Sequence, residues 1–166
     1  MLKFQGNIKH NLFSVSLNRE KKMQITSRFT IAVHIIACIE YFKDIDITSS
    51  FLSGSIGANS VIVRTVISYL KKANIIEVSQ GKSGIKLKKS VNKITFYDIY
   101  KALDCINDDM GLFHFHTNPN MKCPVGKNIH KAMANKLLKI QTSMETEMKN
   151  ITVSDVIKDI IKEIKK

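Results

Sequence analysis

The feature that most constrains this chain is the triplet Gly57-Ala58-Asn59, which interrupts two short stretches of helical apolar spacing. Thr48 to Ile56 reads as a short helix entered through Thr48 and Ser49, whose hydroxyls suit a helix start. Gly57 and Asn59 both tolerate the positive φ that a tight turn between helices needs. Ser60 is the expected cap of the next helix, which runs to about Ala73 with Val61, Val63, Val66, Ile67 and Leu70 as its buried face. Two helices joined by a glycine-containing turn form a helix-turn-helix unit.

The flanks extend the pattern. From Ser27 to Lys43, apolar residues fall at Phe29, Ala32, Ile35, Ile36, Ile39 and Phe42, one helix face, with Ser27 as its expected cap. After the unit, Ile75 to Ser79 and Ile85 to Lys88 have strand character around a tip holding Gly81 and Gly84, with Ile85 and Leu87 alternating with Lys86 and Lys88 across the two faces. A hairpin directly behind such a helix is a wing. Thr95 with Asp98 forms a capping box for a helix with an apolar face of Phe96, Ile99, Tyr100 and Leu103. A polar loop runs from Asn107 to about Gly126.

Lys127 to Lys149 is the longest expected helix. Its stripe, Ile129, Met133, Leu137, Ile140, Met144 and Met148, is narrow like a coiled-coil seam, and a second copy of the chain is the simplest partner for it. Thr152 with Asp155 caps a last helix striped by Val153, Val156, Ile157, Ile160, Ile161 and Ile164. The fold class is therefore mainly α with a small β-hairpin. A winged helix-turn-helix domain over residues 23–94 is joined by a linking helix and loop, 95–126, to dimerisation helices over 127–166. Residues 1–22 read as an extension, with Met23 as the alternative start, or as a basic arm.

Charge narrows the partner. The formal net charge is +12, which favours a polyanion. Lys, Ile and Asn are also what a low-GC genome favours, so the total decides less than its distribution. Residues 1–22 carry net +4, 23–94 net +6, 95–126 net −2 and 127–166 net +4. No apolar run approaches the roughly 20 residues that span a bilayer, and residues 12–15 are too short an apolar patch for a signal peptide. A cytoplasmic protein without membrane partners is expected.

The outward residues at the start of the third helix, Asn59, Ser60, Ile62, Arg64 and Thr65, would enter a major groove. Arg64 suits a guanine edge or a phosphate, and Asn59 suits the turn better than a base. Ser49 and Ser50 open the second helix, where backbone amides favour phosphate. Ser27 and Arg28 do the same at the first, and Lys71 and Lys72 suit phosphate or solvent. Lys82 and Ser83 at the wing tip suit the minor groove or solvent.

Gly57-Ala58-Asn59-Ser60-Val61-Ile62-Val63-Arg64, then Leu70-Lys71-Lys72-Ala73, the Gly81–Leu87 wing, Ile94 to Ala102 and the loop Asn118 to Gly126 resemble the Rrf2 family of bacterial transcription regulators, to which IscR, NsrR and CymR belong. The resemblance spans Met23 to about Ile157. It implies a homodimer with an N-terminal winged helix-turn-helix domain and a long dimerisation helix; a twofold dimer predicts a palindromic duplex operator, and a repressor is expected. By position, Ser27, Arg28, Ser49, Ser50, Asn59, Ser60, Arg64, Lys82 and Ser83 take DNA-contact roles. The family often has Pro where Ser60 stands, and a second glycine where this chain has Ile85.

Some members hold an iron–sulfur cluster through three cysteines in the loop before the long helix. Only Cys123 stands there; Cys105 lies in or at the end of the preceding helix, and Cys38 on the apolar side of the first helix. A cluster takes about four ligands, so no cofactor is expected. His114, His116 and Cys123 lack paired zinc spacing beyond His-x-His. Cys123 precedes Pro124 at a helix start, which lowers a thiol pKa, and so is a candidate redox sensor or simply a capping residue. An enzyme using Cys123 with His114 or His116 lacks a third orienting group. A winged helix that binds RNA or protein is the nearer alternative. No effector is legible.

Overall fold

The computed structural model describes residues 27–79, 84–103, 112, 113 and 115–166. Helices α1 (Ser27–Tyr41), α2 (Ser49–Ile56) and α3 (Ser60–Lys72) precede strands β1 (Ile76–Val78) and β2 (Ile85–Leu87). A 3₁₀ turn (Val91–Lys93) leads into α4 (Phe96–Ala102), followed by α5 (Pro124–Asn150) and α6 (Val153–Ile164). The mainly helical fold with one hairpin is the class expected from the sequence.

α1 forms the centre. Ala32, Ile35 and Ile36 are fully buried, as expected from their spacing, and Cys38 is buried on the apolar side where it was expected, but Ile31 and Ala37 are buried too. α1 is thus covered on nearly every side, by α2, α3, α4, β2 and α6. Phe42 departs from expectation: α1 ends at Tyr41, and Phe42 lies beyond it, 36% exposed. Its ring still meets Phe51 edge to face, with centroids 5.2 Å apart. Ser27 is the first helical residue rather than a demonstrated cap; its carbonyl accepts a bond from Thr30 Oγ1 at 2.9 Å.

The α2–α3 turn follows from three local choices. Thr48 Oγ1 accepts the Phe51 amide at 3.1 Å and starts α2. Gly57, at φ +67°, ends it by donating its N–H to the Ser53 carbonyl. Asn59 then caps α3, its Oδ1 accepting the Val61 amide at 2.8 Å. This corrects two expectations: Asn59, not Ser60, is the cap, and its φ of −55° is negative. Capping with a side-chain oxygen needs extended backbone, so the positive φ falls to Gly57 alone. The two helices bend by 116°, within the range of a helix-turn-helix pair.

β1 and β2 pair antiparallel, with Ile76 opposite Leu87, Glu77 opposite Lys86 and Val78 opposite Ile85. Ile85 is buried and Lys86 exposed, the expected alternation. The Ile85 amide also donates to the Ile47 carbonyl at 2.9 Å, anchoring the hairpin to the α1–α2 connection. Lys82 and Ser83, with Cys105, His114 and the N-terminal extension, lie outside the described residues.

α4 carries the expected capping box, Thr95 with Asp98, and α6 carries a second, Thr152 with Asp155. α5 is 27 residues long and has no buried residue. Met144 and Met148 pack against the protomer's own core, whereas Met133 and Ile140 are 38% and 54% exposed. Among the described residues no single helix is long and apolar enough to cross a membrane.

Candidate nucleic-acid interface

α3 is set by its buried side. Val63, Val66 and Leu70 are fully buried, with Ile67 beside them. Val61 was expected among them and is instead 65% exposed. At about 100° per residue, positions 63, 66, 67 and 70 centre on one side of the helix, and 61, 65, 68 and 72 run down the other. Apolar character alone misassigned Val61; its angular position places it outside. The same spacing identifies Ser68, exposed on the outward midline, which the sequence reading did not select.

The outward midline of α3 is thus Val61, Thr65, Ser68 and Lys72, flanked by exposed Arg64 and Lys71 on one edge and Ile62 on the other. α3 has no acidic side chain. Thr65 Oγ1 donates to the Val61 carbonyl at 2.8 Å, so its one hydroxyl proton is held by its own helix. Ser60 is half-buried in the first turn.

The supporting positions fall as follows. Ser49 is half-buried and Ser50 exposed in the first turn of α2. That turn's first intrahelical bond runs from the Leu52 amide to the Thr48 carbonyl, so the Ser49 and Ser50 amides precede it. Ser27 and Arg28 are exposed in the first turn of α1. Behind the wing, Lys86, Lys88 and Lys89 are exposed, and Lys88 Nζ donates to Asn74 Oδ1 at 3.1 Å. From the sequence, Lys86 and Lys88 mark one face of a strand, and Lys89 follows it.

The loop before α5 brings together residues that the sequence left scattered. Rings of Phe115 and His116 both meet His130, with centroids 4.7 and 4.8 Å apart. His130 was not singled out, because it is distant in sequence from the His-x-His pair. Leu112 is tied to α5 by its amide, which donates to Gln141 Oε1 at 2.7 Å. Cys123 is the N-terminal flank of α5, with Pro124 in the first turn. The backbone amide of Gly126, and then that of Val125, hold its thiol below the ordinary range.

These elements define a winged helix-turn-helix DNA-binding transcription regulator. The chain belongs to the Rrf2 family, iron-dependent transcriptional regulators, which it matches over residues 25–159. YwnA of Bacillus subtilis (strain 168), named as a candidate HTH-type transcriptional regulator, is 37% identical over 132 residues, covering 80% of this chain and 96% of YwnA. A crystallised candidate DNA-binding protein, 33% identical, superposes with a TM-score of 0.64 over 79% of this chain and 99% of its own. CymR, the global cysteine regulator of B. subtilis, shares the fold at 12% identity, with a TM-score of 0.61 over 81% of this chain and 96% of its own.

The family's iron invites a test against the donors present. Cys38 is 6% exposed in the core, its Sγ 3.4 Å from Ser55 Oγ. That removes one of three thiols from any surface site. Among the described residues no group of three or more His, Cys, Asp or Glu is placed to hold a metal ion. The donor set does not fit an iron–sulfur cluster, which takes about four ligands.

Proposed function

We propose that this protein is a sequence-specific regulator that binds a palindromic operator in duplex DNA as a homodimer and represses transcription in the cytoplasm. The observation that carries this is the outward face of α3: a helix anchored by Val63, Val66 and Leu70 presents Val61, Arg64 and Ser68 to solvent, with half-buried Thr65 between them and no carboxylate among them. Arg64 is the base reader, since a guanidinium bonds guanine O6 and N7 together. Ser27, Arg28, Ser49, Ser50 and Ser60 contact phosphates near helix starts. Asn59 sets the turn, and Lys82 with Ser83 reaches the minor groove from the wing tip. The role is regulatory rather than enzymatic.

Dimerisation rests on α5. A helix of 27 residues with none buried leaves its stripe of Ile129, Met133, Leu137 and Ile140 without a full cover in the protomer. Met144 and Met148 extend the stripe toward the core. A second copy supplies the missing cover.

Selection of duplexes from a random pool, with sedimentation of the protein alone, tests the reading. A palindromic consensus and a dimer are expected; Met133→Glu with Ile140→Glu yields a monomer that loses the palindrome. Arg64→Ala weakens binding to the consensus by about 1–3 kcal/mol and to random duplex by much less. Failure to enrich any duplex overturns the proposal, and RNA enrichment in a parallel pool would favour an RNA-binding winged helix.

A further inference from the structure

We infer that the first turn of α3 reads thymine through its 5-methyl group, with Val61 as the specificity-determining side chain and Ile62 beside it. The inference rests on the duplex-DNA reading above and adds to it the chemistry of recognition. Val61 is 65% exposed and Ile62 39% exposed, and Val61 lies on the midline of the outward face. Single exposed apolar residues are ordinary. Two in succession at the leading turn of a helix are placed where base edges are met.

Their neighbours reinforce the point. Asn59 Oδ1 is engaged with the Val61 amide at 2.8 Å. Thr65 donates its hydroxyl proton to the Val61 carbonyl at 2.8 Å. Two polar side chains adjoining Val61 are thereby committed to capping and backbone, leaving Arg64 as the long polar side chain of this turn. Thymine alone among the bases offers a methyl group on the major-groove edge. Against cytosine, the same valine would cover an N4–H donor without bonding it, which is costly. Arg64 lies three residues from Val61, hence beside it on the helix surface, so the thymine stands close to the guanine that Arg64 reads.

Burying one methyl is worth about fourfold in affinity. The test uses the consensus duplex selected by the intact protein, and a version synthesised with deoxyuridine for thymine, which removes only methyl groups. Fluorescence anisotropy should show the uridine duplex about fourfold weaker for each methyl read. In Val61→Ala that ratio should fall toward one, and in Arg64→Ala it should persist while binding weakens overall. The cycle separates Val61 from any general effect of uridine on the duplex. Exposure of Val61 leaves the fold intact in Val61→Ala, which thermal melting checks. Equal binding of the two duplexes by the wild type, or an undiminished ratio in Val61→Ala, overturns the inference while leaving the regulator reading standing. If no duplex is selected at all, both fall.

Discussion

Thr95 and Thr152 face each other in an antiparallel bridge, although 57 positions separate them in the chain. The Phe96 amide donates to the Ile151 carbonyl at 2.9 Å, and the Val153 amide to the Ile94 carbonyl at 3.0 Å. Each threonine also caps the helix that follows it. The starts of α4 and α6 are therefore stitched together, and α6 is directed back onto α1.

This stitch should be measurable. Thr152→Ala removes the α6 cap while leaving the backbone bridge, and should lower stability by about 1 kcal/mol. Thr152→Ser should recover most of it. Urea unfolding followed by circular dichroism is the check, and no difference between the alanine and serine variants would contradict the capping role.

Acid should weaken the same end of the chain. The Thr152 hydroxyl and then its amide, followed by Lys158, hold the Asp155 carboxyl at about 2, below the ordinary 3.8. A depressed folded-state pKa gives stability that is full above the unfolded value and is lost as pH falls toward about 2. Between pH 4 and pH 2 the wild type should therefore lose stability more steeply than Asp155→Asn. Unfolding curves collected across that interval would show it; parallel slopes would refute it.

Wing placement depends on a close approach. Gly84 sits at φ +61°, and a Cβ there would lie 2.8 Å from the Ile47 carbonyl oxygen. Gly57 has a similar φ of +67° but open space around it. Gly57→Ala should cost about 1 kcal/mol, from the backbone alone. Gly84→Ala should cost more, because β2 must also move off Ile47. Comparing the two melting temperatures, with duplex affinity alongside, tests this order.

Cys123 is the one described thiol placed to report on redox state. With its pKa lowered by the amides of Gly126 and Val125, more of it is thiolate near neutrality than for an ordinary cysteine. Iodoacetamide labelling, resolved by peptide mass spectrometry, should modify Cys123 faster than a model thiol at pH 7 and leave buried Cys38 nearly untouched. A half-maximal rate at the pH of an unperturbed cysteine would count against a redox role.

Much of this protein was legible in its residues. Local signals that act within four positions were read correctly: the Thr95 and Thr152 capping boxes, Gly57 as the break, and the alternation of Ile85 and Lys86. The apolar stripes located the helices because burial follows their period.

What the local pattern could not decide was which apolar residues find cover. Ile140 is as apolar as Ile36, yet it stays 54% exposed, and Phe42 at 36% is covered only in part, by Phe51. Ile31 and Ala37 are buried because α1 is covered at once by α2, α3, α4, β2 and α6, the last brought round by the Thr95–Thr152 bridge. Burial depends on segments far apart in the chain arriving at one place, and only the tertiary structure records that arrival.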